Sequence, residues 1–193
     1  MEPNQFYHIY NRANAFENLF HSPENYRFFL EKCNRYLPEI ATLYAFALIP
    51  NHFHLLIHTH SQDQIKLDRL EFQTRASQVF SNFFNSYTKS FNKYYKRRGT
   101  LFSRHFKNEL IDTLEYRKNC VLYLHHNAIH HKMCSDLGEW SYTSHGLLID
   151  NPQDDSNARV LSWFGGLTGY AMACEKYKRR LDEGIVGLHT SLE

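Results

Sequence analysis

The sequence predicts an α+β domain in which helices pack on one face of an antiparallel sheet. Three observations predict it. Short stretches rich in β-formers alternate with stretches whose apolar residues recur every three or four positions. No apolar run approaches the ~18 residues that cross a bilayer, so a membrane span is excluded. Two of the β-rich stretches are joined by tight-turn chemistry, which makes them an antiparallel hairpin.

Residues 5–12 (QFYHIYNR) alternate and form a first strand. Ser22-Pro23-Glu24 then supplies an N-cap, a proline at the first helical position and an early acid, and Tyr26, Phe29, Leu30 and Cys33 share one face of a helix that ends near Tyr36, before Pro38. Residues 41–48 and 52–59 are two strands joined by Ile49-Pro50-Asn51. A polar SQDQ segment leads to a long helix over about 67–96, with Gly99 suited to a left-handed C-terminal cap. Residues 101–111 read as a further strand, and Asp112-Thr113-Leu114-Glu115 has capping-box spacing for a helix over 113–131. Beyond Trp140 the pattern weakens to a polar loop over 150–158 and helical turns over 159–182, interrupted by Gly165-Gly166. The chain therefore divides into a domain over 1–145 and a mostly helical extension over 146–193.

With 193 residues the chain can bury one sizeable core. Its four cysteines, Cys33, Cys120, Cys134 and Cys174, show no CxxC spacing, which argues against a disulfide framework and a cysteine zinc site. The N-terminal stretch lacks a basic region followed by an apolar one, so the expected location is cytoplasmic. Thirteen histidines are an excess whose meaning depends on spacing.

Charge is polarised along the chain. Between Glu71 and Glu109 there is no acid, but Arg75, Lys89, Lys93, Lys96, Arg97, Arg98, Arg104 and Lys107 supply eight positive charges. Tyr87, Phe91, Tyr94, Tyr95, Phe102 and Phe106 interleave with them, the composition of a groove for single-stranded or distorted nucleic acid. The same spacing also fits a solvated basic face whose rings turn into the core.

Two clusters could carry chemistry. In Pro50-Asn51-His52-Phe53-His54 a strand points His52 and His54 to one face and Phe53 to the other, as a two-ligand metal site requires; a surface pair without ligand has the same spacing. In the 113–131 helix, Tyr123 and Asn127 lie one turn apart, so an amide oxygen suited to a metal stands beside a phenol. Tyr123 also fits as a core tyrosine, Tyr116 is a second candidate nucleophile, and His126 with His130 has the spacing of a helical zinc pair, although the glutamate of an HExxH motif is absent.

These motifs stand in a familiar order. YHIYNRANAFENLF, PNHFHLL, GTLFSRHFKN after a basic helix, and YLHHNAI resemble the single-tyrosine HUH transposases, and more narrowly the REP-associated tyrosine transposases, over roughly residues 5–145. The resemblance implies a ferredoxin-like, RRM-like HUH endonuclease fold. It implies that His52, His54 and Asn127 bind a divalent metal, Mg²⁺ or Mn²⁺, and that Tyr123 attacks single-stranded DNA, leaving a 5′-phosphotyrosine and a free 3′-hydroxyl. Lys89, Lys93, Lys96, Arg97, Arg98, Arg104 and Lys107 would track the backbone of a DNA hairpin, with the protein acting as a monomer or a homodimer. The chain departs from the family where Asn127-Ala128 replaces the frequent Asn-Pro, which lets the helix run on toward His131. The expected function is thus a metal-dependent DNA nicking endonuclease and strand-transferase, and the alternative is a non-catalytic DNA-hairpin binding protein.

Overall fold

The computed structural model describes residues 1–15, 17–103 and 105–185. A four-stranded antiparallel sheet is built from β1 (Phe6–Arg12), β2 (Ala41–Ile49), β3 (His52–Thr59) and β4 (Lys107–Leu110) in the order β2-β3-β1-β4. The two central strands, β1 and β3, pair in a register that sets Tyr10 opposite His54 and Arg12 opposite His52. Alternation along them sorts side chains to two faces.

One face carries Tyr7, Ile9, Phe53, Leu55 and Ile57 and packs against α1 (Pro23–Tyr36) and α3 (Arg69–Tyr94), where Phe29, Phe72, Phe80, Phe83 and Tyr87 close the core. The other face presents Phe6 and Leu56, which join Val121, Leu122 and Leu124 of α4 (Leu114–His130), Val160 of α6 (Asp155–Phe164) and Tyr170 of α7 (Leu167–Asp182) in a second core. Helices therefore cover both faces, where the sequence pattern predicted one. The reason is visible in β3, whose outward positions are histidines and Leu56 rather than charged residues, and in α4, which is buried at every position from Cys120 to Ala128. A helix buried all round needs a layer on each side. In β2 a bulge at Tyr44 shifts the pairing between Leu43 and Ala45, and Tyr44 and Ala45 both join the second core. The outer edge of β2 is covered by the 142–144 segment through Leu48 N–H to Tyr142 O at 2.8 Å and Ser144 N–H to Phe46 O at 3.0 Å.

Several boundaries differ from those predicted. The SQDQ region contains a short helix, α2 (Gln62–Ile65), and α3 starts at an Asp68–Glu71 capping box. The left-handed residue that ends α3 is Lys96 (φ 52°), with Arg97 N–H bonded back to Asn92 O at 2.9 Å; Gly99 lies in the following loop. The strand expected over 101–111 is reduced to β4, because His105 takes a left-handed φ of 58° and both Phe102 and Phe106 turn into the first core. The α4 N-cap is Thr113, which accepts from Tyr116 N–H, rather than Asp112. A further short helix, α5 (His145–Asp150), precedes α6, and α6 and α7 are separate helices broken at Gly165-Gly166.

Candidate active site

The site forms where the His52 end of β3 meets the last turns of α4. The β2–β3 turn is fixed from outside the hairpin. Ala13 N–H donates to Asn51 O at 2.7 Å, and Leu19 N–H and Phe20 N–H donate to Pro50 O at 2.7 and 3.0 Å. This holds Asn51, whose Oδ1 lies 2.7 Å from Nδ1 of His52. Since an amide oxygen only accepts, Nδ1 of His52 donates to it, and the other ring nitrogen, Nε2, faces α4. That Nε2 lies 3.3 Å from Oδ1 of Asn127, a fully buried residue.

Nε2 of His52 donates to this oxygen when the ring is protonated on both nitrogens; in the neutral ring the two atoms stand side by side as lone-pair ligands for a cation at the junction of sheet and helix. Adjacent ligands of an octahedral Mg²⁺ at ~2.1 Å stand about 3 Å apart, so the pair fits one ion. The buried Nδ2 of Asn127 has no hydrogen-bond partner, leaving this amide oriented by its oxygen side. His54, 2% exposed, has its ring centre 5.1 Å from that of His52. Burial above all, then His8, His52 and His131, push the His54 imidazole well below its ordinary range, so it is neutral and able to ligate. Among the described residues no group of three or more His, Cys, Asp or Glu side chains converges as a metal cage. The donor set here is instead two imidazoles and an amide, and it fits a divalent cation completed by phosphate or water oxygens.

Tyr123 stands beside this pair. Its ring centre is 5.3 Å from that of His54 in an edge-to-face contact at 83°, and 6.2 Å from that of His8. It is 7% exposed, and the phenol of Tyr177 on α7 is pushed up by burial first and by Tyr123 second. One turn of α4 separates Tyr123 from Asn127, so a single helix carries both.

Residues the sequence left unassigned complete the cluster. His8 on β1 places Nε2 2.9 Å from Nδ1 of His54, and burial pushes it down to about 3. Tyr10 stacks on His54 at 5.8 Å, and His131 lies 4.7 Å from His52, ring to ring. The signal for His8 and Tyr10 was present in the alternation of YHIYNR, which sends both to one face. The other candidates are placed elsewhere. Tyr116 donates its hydroxyl to the Glu109 carboxylate. His126 donates Nδ1–H to Leu122 O at 2.8 Å and packs on Tyr177.

Of the basic residues, Lys89, Lys93, Lys96, Arg98 and Lys107 are exposed. Arg97 is half-buried and pairs with Glu17, donating also to Asn92 Oδ1 at 2.8 Å and Thr100 O at 2.7 Å. Arg104 lies outside the described residues. Of the interleaved rings Tyr94 is exposed, whereas Tyr87 and Phe91 are core residues.

No family model matches the chain, and no curated protein sequence matches it. A solved structure does: a REP-associated tyrosine transposase bound to a REP hairpin, with a TM-score of 0.56 and 16% identity over 81% of this chain and 86% of that one. The chain has the fold of that transposase. The shared fold is the antiparallel α+β sheet with its helices. No helix among the described residues is long and apolar enough to cross a membrane.

Proposed function

We propose that the protein is a REP-associated-type tyrosine transposase relative that binds a DNA hairpin and nicks adjacent single-stranded DNA through Tyr123. The observation that carries this reading is the convergence of Tyr123, His54 and the facing His52 Nε2 and Asn127 Oδ1 at one junction of β3 and α4. A hairpin-binding module has no need of that constellation. The transposase that shares the fold is itself bound to a hairpin, which supports the partner.

The chemistry follows from the groups present. The Tyr123 oxygen attacks phosphorus of a phosphodiester, forming the Tyr–O–P bond as the bond to the 3′ oxygen breaks; the phenolic proton ends on that oxygen, giving a free 3′-hydroxyl. A divalent cation held by His52, His54 and Asn127, Mg²⁺ or Mn²⁺, would supply Lewis-acid polarisation of a phosphoryl oxygen. A phenol with an ordinary pKa of about 10 is mostly protonated at neutral pH, and burial disfavours the phenolate further, so helping the Tyr123 oxygen to lose its proton as phosphate arrives would be a second task of the bound cation. The covalent intermediate conserves the bond energy, and reversal or strand transfer needs no added energy source. Exposed Lys89, Lys93, Lys96, Arg98 and Lys107 would hold the hairpin backbone.

The test uses end-labelled single-stranded hairpins from the protein's genomic neighbourhood, incubated with Mn²⁺ or Mg²⁺ and resolved on a denaturing gel. Wild type is expected to form a metal-dependent covalent adduct, and Tyr123→Phe none while binding the hairpin within about twofold of wild type. Hairpin binding without an adduct in wild type would establish the non-catalytic binder instead.

A further inference from the structure

A second cationic cluster lies outside the Tyr123 site. The Arg117 guanidinium on α4 is 4.7 Å from the centre of the Phe6 ring and 5.9 Å from that of Trp163. Arg159 on α6 is 5.8 Å from Phe6 and 5.6 Å from Tyr44. Both guanidiniums therefore lie against one phenyl ring, and His58 packs on the same ring at 4.4 Å between centres.

Positive charge brought to one ring by two guanidiniums is stabilised when an anion stands near them. No carboxylate does so here: among the described residues neither arginine takes part in an ion pair. Arg117 spends one N–H on Thr113 O at 3.3 Å. His58 registers the same field: it is pushed down to about 4, first by burial and then by Arg159, His60 and Arg117, so every charge acting on it is positive. Contact with the rings holds the guanidiniums in place, and the N–H groups not given to Thr113 can donate to a phosphate.

We propose that Arg117 and Arg159 form a phosphate site for the backbone of the DNA strand that enters the Tyr123 site. The inference rests on the proposed DNA reaction and extends it to a contact that lies apart from the basic end of α3. Arg117 precedes Tyr123 by six residues on the same helix, about 9 Å along its axis, a distance that one or two nucleotides span. Arg159 and Trp163 come from the C-terminal extension, so completing this site is a task for that segment.

The test is hairpin binding by fluorescence anisotropy over a salt titration, using a hairpin with a single-stranded tail. Replacing both arginines, Arg117→Gln with Arg159→Gln, is expected to weaken binding about tenfold and to make the log affinity against log salt slope shallower by ~1.4, the value for two single-strand phosphates. Arg117→Lys with Arg159→Lys keeps the charge and is expected to restore the slope. Unchanged affinity and slope in a glutamine pair with wild-type thermal stability would overturn the site and leave the arginines as covers for Phe6 and Trp163. Should that pair fail to fold, the exposed single change Arg159→Gln decides by the same readout, with a slope shallower by ~0.7 expected and an unchanged slope overturning the site. Wild type that shows no salt-dependent hairpin binding would overturn the DNA reading and the site with it. Wild type that binds and forms the Tyr123 adduct while the glutamine pair binds equally well would remove the site alone.

Discussion

Nδ1 of His54 lies 2.9 Å from Nε2 of His8, a hydrogen bond between the two central strands in which both rings are buried. One of the two nitrogens must carry the proton. If His54 Nδ1–H donates to His8, then His54 keeps a lone pair on Nε2, the tautomer a metal ligand needs; His8 then does for His54 what Asn51 does for His52. Replacing His8 with Phe removes the acceptor while filling the space. The expected outcome is a ~10- to 100-fold loss of Mn²⁺ affinity, read by electron paramagnetic resonance of free Mn²⁺, with the fold retained. Equal affinity in the variant would show that His54 needs no orienting partner.

Acid should unfold this protein early. His58 is pushed down to about 4 and His125 well below its ordinary value, burial being the largest cause in each, and His145 is lowered by burial as well. The native state disfavours their protonated forms, whereas the unfolded chain takes up protons below about pH 6.5. The stability from this source is complete above pH 6.5 and is lost as the pH falls toward 4, by at most ~1.4 kcal/mol per pH unit for each fully buried histidine. Urea midpoints at pH 7, 6 and 5 should therefore fall progressively; a flat profile would mean that these imidazoles titrate normally in the native state.

The hydroxyl of Tyr170 is shared between Nδ1 of His125 at 2.6 Å and Nδ1 of His145 at 2.7 Å, and Nε2 of His125 lies 2.8 Å from Ser144 Oγ. This buried network ties α7 to α4 and α5. Tyr170→Phe removes one oxygen and leaves two ring nitrogens without it, at an expected cost of ~1–3 kcal/mol. Chemical denaturation measures it directly, and a loss under half a kilocalorie would mean that water replaces the hydroxyl at no cost.

Arginines 97 and 98 are neighbours in sequence with different surroundings. Arg97 anchors the loop after α3 to Glu17, Asn92 and Thr100, so Arg97→Ala should lower the thermal midpoint. Arg98 is exposed, and the combined change Lys89→Gln, Lys93→Gln, Arg98→Gln should leave the midpoint unchanged while flattening the salt dependence of hairpin binding. An unaltered salt slope would place the hairpin on another surface.

Much of the fold was legible because its signals are local. The Pro50-Asn51 turn, the Ser22-Pro23 helix start and the period of Phe80, Phe83, Phe84, Tyr87 and Phe91 each depend on a few adjacent residues. The pairing of Tyr123 with Asn127 was legible for the same reason, since one helical turn fixes it. What was missed depends on contacts between distant segments. His8 acquires its meaning from His54, 46 residues away. Arg97 was grouped with the solvent-facing cations because nothing near it in sequence reveals Glu17, 80 positions away. The second helical layer escaped notice because Leu56 and the β3 histidines alternate with apolar residues as a solvent-facing row would.

The burial of α4 from Cys120 through Ala128 has a kinetic meaning. With the sheet beneath it and α6 and α7 packed alongside, these amides have no local route to solvent and should exchange with deuterium only when the whole domain opens. Tyr123 and Asn127 are then carried on a helix segment enclosed by packing on every side. Their separation is settled when the chain folds, before any strand arrives, and it is the flexible nucleic acid backbone that must bend to meet them.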